Sequence, residues 1–438
     1  MIGFPTSRLR HARGAAVAVA ALGYFVDIFD LILFALVRTK SLTELGVPAS
    51  ETTNVGIVLD NYLQSTGLVV GGIVWGVLGD RRGRLSVLFG SILVYSVANI
   101  LNAFVVDVPN EGFGAVLHTL GMGTALRQYA VLRFAAGFGL AGELGAGITL
   151  VSELVSKERR GLATTVVATV GICGAIAAFF ITEFFQWRTV FLIGGGMGLA
   201  LLVLRVGVVE SGMFESVRKG SGAPCGAIWM LFYPWTRLHR YLAIIGCAVP
   251  IWYMVGILVK YCGDIGASLG MPEGGRPVVG PAIFWSYVGL ALGDLGSGLM
   301  SQWLRSRRRT ILIFHAMCVA SIVALFTVGP RSPAWFYGCL VFVGAAAGYW
   351  AVFVTTVAEL FGTNLRATAT TSAPNMVRWS TALTAFVWVW LDERMLGNSA
   401  AAPWQSAAIL GAVLIPLAAL CVFSLRETYG RDLQFVDE

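Results

Sequence analysis

Of the 438 residues, 57% are apolar and only 13% are charged, about half the charged share of a soluble domain, and the mean hydropathy is +0.76. These figures exclude a string of soluble domains and place the chain in a membrane. The net charge of +7 does not argue for nucleic acid, because the surplus falls in short loops between apolar runs, where it sets topology.

Twelve apolar runs of about 20 residues, the length that crosses ~30 Å of hydrocarbon, predict an all-α polytopic membrane protein. They fall at 15–37, 55–78, 85–106, 128–151, 161–184, 189–209, 240–262, 278–301, 310–329, 334–358, 367–391 and 404–425. The basic start, Arg8-Leu-Arg10-His-Ala-Arg13, has the look of a signal peptide. Its apolar run continues past any cleavage site to Val37, so it is predicted to be the first span.

A charge at the centre of a bilayer costs about 2.5–3.5 kcal/mol on insertion scales, so each charge inside a span is a candidate functional group. Span 1 holds Asp27 and Asp30, three residues apart and therefore expected on one helix face. Two close carboxylates in a low-dielectric site do not both ionise cheaply, which suits a proton carrier. The alternative is that one of them pairs with a buried arginine and holds the bundle together. In span 2, Gln64 is a candidate cavity residue, while Asp60 lies near the outer end, where a solvated role is expected. Span 4 carries Arg133 and Glu143; the latter, among Gly139, Gly142 and Gly147, is either a second proton site or a packing partner.

The longest polar break, 210–239, contains Glu210, Glu215, Arg218, Lys219 and Arg237. It reads as a linker between a first half, 1–209, and a second, 240–438, with its apolar 227–233 stretch lying in the interface. Pro250 bends span 7 just before Trp252 and Tyr253, which makes both candidate substrate contacts. Trp285, Tyr287, Tyr349 and Trp350 are further candidates, and Asp294 in span 8 has no assigned role. In span 11, Pro374 precedes Asn375 and Arg378. A buried guanidinium beside a proline bend suits an anionic substrate such as a carboxylate, or else a salt bridge to Asp27 or Asp30.

The seven cysteines are scattered with no CxxC pair, and His11, His118, His239 and His315 do not cluster. Neither a disulfide framework nor a metal site is expected, nor any cofactor.

With the N-terminus inside, 20 Lys and Arg fall in inner segments and 8 in outer ones, so both termini are expected in the cytoplasm. The halves also repeat. Glu153-Leu-Val-Ser-Lys-Glu-Arg-Arg160 ends span 4, and Glu359-Leu-Phe-Gly-Thr-Asn-Leu-Arg366 ends span 10. The turn Gly76-Val-Leu-Gly-Asp80-Arg81-Arg82-Gly83-Arg84 is mirrored, after span 8, by a turn with Gln302 and Trp303 in place of Asp80 and Arg81. Asp80, Arg81, Arg84, Glu153 and Arg160 in one half, with Glu359, Arg366 and Arg305 in the other, are candidates for an inner gate. Asp80 is placed to sit against the positive end of span 11. The alternative is that these charges are topology signals alone.

The 76–84 turn fits the Gly-x-x-x-Asp-Arg-x-Gly-Arg pattern of the major facilitator superfamily, and the chain resembles that family along most of its length. Arg133-x-x-x-Gly137-x-Gly139-x-x-Gly142, Trp187-Arg188, Glu210-Ser-Gly-Met-Phe214 and Glu427-Thr-Tyr-Gly-Arg431 add to the likeness. Asp27-Ile-Phe-Asp30 is similar to the Glu-x-x-Asp element of metabolite:proton symporters, while Gly171-Ile-Cys-Gly174 lacks the Gly-Pro element of drug:proton antiporters. The resemblance implies two pseudo-symmetric six-helix bundles rocking about a central site. It implies Arg133 either tying spans 1 and 4 or acting on the proton site. The expected function is proton-coupled import of a small polar or anionic metabolite by a monomer in the plasma (inner) membrane. An exporter or uncoupled facilitator is the nearest alternative; a non-transporting receptor or a membrane enzyme is more remote.

Overall fold

The computed structural model describes residues 6–48, 51–205, 225–397 and 399–437. Eleven described helices are long and apolar enough to cross a membrane. Spans 1 to 6 are Val17–Glu44, Asn54–Arg82, Arg84–Asn102, Ala125–Leu154, Arg159–Phe184 and Trp187–Leu204. Spans 7 to 10 are Trp235–Val259, Glu273–Trp303, Arg307–Arg331 and Pro333–Leu360, and span 12 is Ala402–Ser424. Span 11, Arg366–Trp390, is a 25-residue helix too polar for that criterion. Its Thr368, Thr370, Thr371, Ser372, Asn375, Arg378 and Thr381 are all buried in protein, so the helix does not have to be apolar all round.

The helix ends follow local chemistry. Ser306, Ser332 and Thr124 each accept a backbone N–H three residues on (3.2, 3.3 and 3.4 Å), as N-caps do. Gly83, at φ 102°, breaks the chain between spans 2 and 3 in a conformation that L side chains rarely adopt. Span 7 begins at Trp235, so the end of the predicted linker is already helix. The 227–233 stretch forms only the short turn Ile228–Leu231, with Met230 and Leu231 buried and Trp229, Phe232 and Tyr233 exposed. Glu210, Glu215, Arg218 and Lys219 lie outside the described residues.

The sequence repeat is a structural repeat. In the first half span 1 packs on 5 and 6, 2 on 4, and 3 on 4 and 6; in the second, 7 packs on 11 and 12, 8 on 10, and 9 on 10 and 12. Across the interface span 2 packs on 11, and 5 on 8. Two hydroxyl pairs mark the pseudo-twofold: Thr149 with Thr370 and Thr164 with Thr355, each 2.6 Å apart. Each threonine lies four residues from a Glu or Arg of the repeated motif.

Among the described residues, spans 2, 7 and 10 depart from regular helix within their length. Span 2 has a π-type wide segment, Val58–Gln64, and span 7 has one at Met254–Val259. Span 10 breaks outright between Pro333–Ala347 and Trp350–Leu360. Such irregularities mark functional sites in membrane helices.

Spans 2 and 11 touch backbone to backbone near the end that carries Asp80, termed the gate end below. A Cβ added to Gly76 would lie 2.8 Å from Thr368 Cα and 3.1 Å from its carbonyl oxygen. Gly76→Val therefore wedges the halves apart. A cysteine placed at Thr371, in a background without the seven native cysteines, then gains reactivity toward a thiol reagent added from the gate side. Unchanged labelling would show that this contact does not hold the gate.

Candidate functional site: a central cavity between two closures

Between the halves lies a small cavity of about 20 Å³, room for about one water, lined by Leu31, Asp60, Gln64, Trp252, Arg378 and Thr381 among others. Arg378 is its charged centre and is 2% exposed. Its guanidinium carbon sits 5.9 Å from the Trp252 ring centroid and 5.7 Å from that of Trp350. The two indoles meet edge to face at 6.3 Å. Arg378 Nη1 donates to Asn375 Oδ1 at 3.1 Å, and Asn375 Nδ2 donates in turn to the Ala141 carbonyl at 3.0 Å. Span 11 thus holds its arginine with an asparagine one turn back, anchored on span 4. Arg378 Nη2 reaches Asp27 Oδ2 at 3.4 Å, long for a charge-assisted bond. The indole N–H groups of Trp252 and Trp350 and the second oxygen of Asp27 have no hydrogen-bond partner among the described residues. An arginine flanked by aromatic faces and idle donors fits a planar anion.

The structure separates Asp30 from Asp27. Asp30 turns toward Gly194 of span 6 and Asn99 of span 3, and neither of its oxygens has a hydrogen-bond partner among the described residues. It lies inside the first bundle, not on the cavity. Arg133 hydrogen-bonds Gln64 and stacks on Phe34 and Phe191 at 5.0 and 5.7 Å. It links span 4 to spans 1, 2 and 6. Glu143 forms an ion pair with Arg205 of span 6, a residue the sequence did not single out. Tyr253 corrects its expected place: it is fully buried and its hydroxyl donates to Ala407 of span 12 at 2.5 Å. One residue of helix turns a side chain by about 100°, so Trp252 faces the cavity and Tyr253 faces its own bundle. Trp285 is 42% exposed on the outside, and Tyr349 binds the Cys247 carbonyl within the second half.

Asp294 gains a position. Its Oδ1 accepts the Ala351 N–H at 2.6 Å, capping the half-helix that begins at Trp350. Its signal in the sequence is a buried acid in one span facing a Gly-Tyr break in another; only the structure pairs them.

The gate end is closed by a buried, pseudo-symmetric charge network. Asp80 accepts the N–H groups of Ala367 and Thr368 at 3.0 and 2.8 Å and the Thr368 hydroxyl at 2.7 Å, so its carboxylate sits on the start of span 11. Glu153 meets both Arg84 and Arg366 at 2.9 Å. In the other half Glu359 meets Arg307 at 3.1 Å and Arg160 at 3.8 Å. Each half's glutamate therefore takes one arginine from its own half and one from the other. Arg307 occupies the place expected of Arg305, which is exposed. Arg81 is also exposed and forms no ion pair among the described residues, because it projects about a quarter-turn away from Asp80. The chain's end straps this gate: Arg366 Nη2 donates to the Leu433 carbonyl at 2.7 Å and Arg160 Nη1 to that of Arg431 at 3.1 Å.

At the far end, Lys260 of the second half pairs with Asp60 of the first at 2.5 Å. This corrects the solvated role expected of Asp60, whose side chain is 14% exposed. Glu44 at the end of span 1 accepts from Trp187 Nε1 at 2.6 Å and Arg188 Nε at 3.1 Å.

Two six-helix halves around an occluded central cavity, closed at either end by pairs that cross between the halves, define a carrier of small molecules. The Major Facilitator Superfamily profile matches residues 20–385, and the chain belongs to that family; it is a transporter and not an enzyme. It is 29% identical over 372 residues to the 3-(3-hydroxy-phenyl)propionate transporter of Escherichia coli, covering 83% of each chain. A Bacillus subtilis protein named for niacin/nicotinamide transport is 29% identical over 203 residues, and the aligned part spans 45% of each chain, less than half of that protein. Among solved structures, the proton:xylose symporter XylE superposes with a TM-score of 0.72 at 16% identity, over 97% of this chain and 98% of that one. That likeness concerns the fold alone.

Proposed function

We propose that the protein imports a small aromatic carboxylate together with a proton. The observation that carries this reading is the Arg378 guanidinium, buried beside Trp252 and Trp350, with a carboxylate partner, Asp27, held only loosely at 3.4 Å. A substrate carboxylate takes the guanidinium, and its ring lies against the indoles. Asp27, left without its counter-charge in a low-dielectric site, then holds a proton. Substrate and proton thus favour one another's binding, which is thermodynamic coupling. The two relatives named above support the substrate class, since niacin and hydroxyphenylpropionate both join an aromatic ring to a carboxylate.

The 20-to-8 bias of Lys and Arg supports a gate end and both termini in the cytoplasm, of the plasma (inner) membrane. The two six-helix halves rock against one another, joined by the segment between spans 6 and 7. The Lys260–Asp60 pair opens to admit substrate, and the Asp80, Glu153 and Glu359 contacts break to release it. Asp30, Glu143 and Arg133 shape the first bundle around Asp27.

Uptake of radiolabelled benzoate into proteoliposomes tests the reading. Nicotinate competes, while nicotinamide and xylose do not. Asp27→Asn retains benzoate counterflow but loses accumulation driven by a pH gradient. Competition by xylose without competition by nicotinate would overturn the substrate class. Full gradient-driven accumulation in Asp27→Asn would overturn the role of Asp27.

A further inference from the structure

At the gate end of the second half, away from the transport cavity, a groove of about 690 Å³ opens between the start of span 7, the end of span 10 and the chain's final segment. Arg237, His239, Arg240, Arg426 and Arg431 line it, and Asp437 is the acidic residue in its wall. Asp437 is already engaged: its side chain accepts from Arg240 Nη2 at 2.8 Å and from the Gly362 N–H at 2.6 Å. Arg240 Nε is buried and has no hydrogen-bond partner among the described residues. Arg426 is exposed and forms no ion pair among the described residues. Burial, then the neighbouring Arg240 and Arg426 charges, push the Arg431 guanidinium below its usual range, as crowded like charges do.

The groove lies where span 7 begins and span 12 ends. Trp235, in its wall, is 68% exposed, and Trp229, Phe232 and Tyr233 beside it are exposed too. Exposed aromatic side chains at helix ends belong to the headgroup level of a membrane.

We propose that this groove binds a phosphate-bearing anion, the headgroup of an acidic phospholipid in the leaflet at the gate end. Arginines suit phosphate because their planar fork donates two parallel N–H groups to its oxygens. The aromatic rim suits the glycerol and upper acyl chain. Arg240 also holds the strap over the gate through Asp437, and Arg431, within the strap, donates to the Glu359 carbonyl at the end of span 10 at 3.4 Å. A bound headgroup therefore adds to the inward-closed form without entering the transport cavity.

The test is the thermal stability of the purified full chain in detergent, titrated in separate arms with phosphatidylglycerol, phosphatidylcholine and inorganic phosphate. Phosphatidylglycerol raises the melting temperature and phosphatidylcholine does not. In Arg426→Gln the midpoint of the phosphatidylglycerol titration shifts by roughly fivefold, the weight of one basic residue near an anionic surface. His239→Gln, also exposed and outside the transport site, gives a second variant with little risk to folding. An equal response to inorganic phosphate, with the same loss in Arg426→Gln, would support the anion site and overturn the lipid as its source. An equal response to phosphatidylcholine, or an unchanged midpoint in both variants, would overturn the proposal. Native mass spectrometry gives an independent reading: adducts of phosphatidylglycerol retained by the wild type are depleted in Arg426→Gln.

Discussion

Arg378→Gln lowers benzoate uptake by about two orders of magnitude. Truncating one partner of a buried, hydrogen-bonded charge pair costs roughly 2–5 kcal/mol, and each ~1.4 kcal/mol is tenfold in an equilibrium. Glutamine keeps much of the length and the polarity but loses the charge that the substrate carboxylate needs. The variant also leaves Asp27 without a counter-charge, so its uptake no longer responds to a pH gradient. Arg378→Lys recovers only part of the activity, because an ammonium cannot present two parallel donors to a carboxylate while lying along the indoles. Kinetics in proteoliposomes check both variants. Uptake within twofold of wild type in Arg378→Gln would remove the arginine from the site.

Glu153→Gln destabilises the gate-closed form more than any other single change at that end. Glu153 meets Arg84 and Arg366 at 2.9 Å, with all three side chains buried. Neutralising it removes the carboxylate that both guanidinium groups share; Arg84 keeps Asp80 at 3.5 Å and Arg366 keeps the Ala358 and Leu433 carbonyls, but breaking a buried pair still costs about 3–5 kcal/mol. Arg84 comes from one half and Arg366 from the other, so the halves relieve the cost by parting. The expected result is a lower melting temperature together with increased labelling of a cysteine at Thr371 from the gate side. Glu359→Gln, its pseudo-symmetric counterpart, has a smaller effect, since its Arg160 contact is already 3.8 Å long. Equal melting temperatures for wild type and Glu153→Gln would contradict the assignment of this residue as the hub of the gate.

Most of the buried charge network at the gate end was legible because its signal is local, although Arg307 stands where Arg305 was expected. Asp80 and Arg84 lie within one turn motif, and Glu153–Arg160 and Glu359–Arg366 repeat at one spacing, so topology brings them to the same end. The repeat also foretold the two halves. What the sequence hides is the rotation of each helix about its axis. Span 7 is apolar nearly all round, so nothing in its pattern chooses between Trp252 and Tyr253. Asp27 and Asp30 differ by only about 60° around span 1, yet one meets Arg378 and the other faces Gly194 and Asn99. Pairs that cross between distant spans were equally hidden: Glu143 with Arg205, Lys260 with Asp60, and Asp294 with the Ala351 N–H. Each joins residues from helices whose neighbours are fixed only once the whole bundle packs. Span 11 was found despite its threonines because its length and flanks matched a span; that its polar face is wholly buried is a property of the packing.

The central claim is that substrate and Asp27 share Arg378, so that binding a carboxylate loads a proton. Calorimetric titration of benzoate into the purified protein, repeated in buffers of different ionisation enthalpy, counts the protons exchanged on binding. The account predicts that about one proton is taken up per substrate bound by the wild type and none by Asp27→Asn. Binding by the wild type with no proton taken up at any pH tested would contradict it.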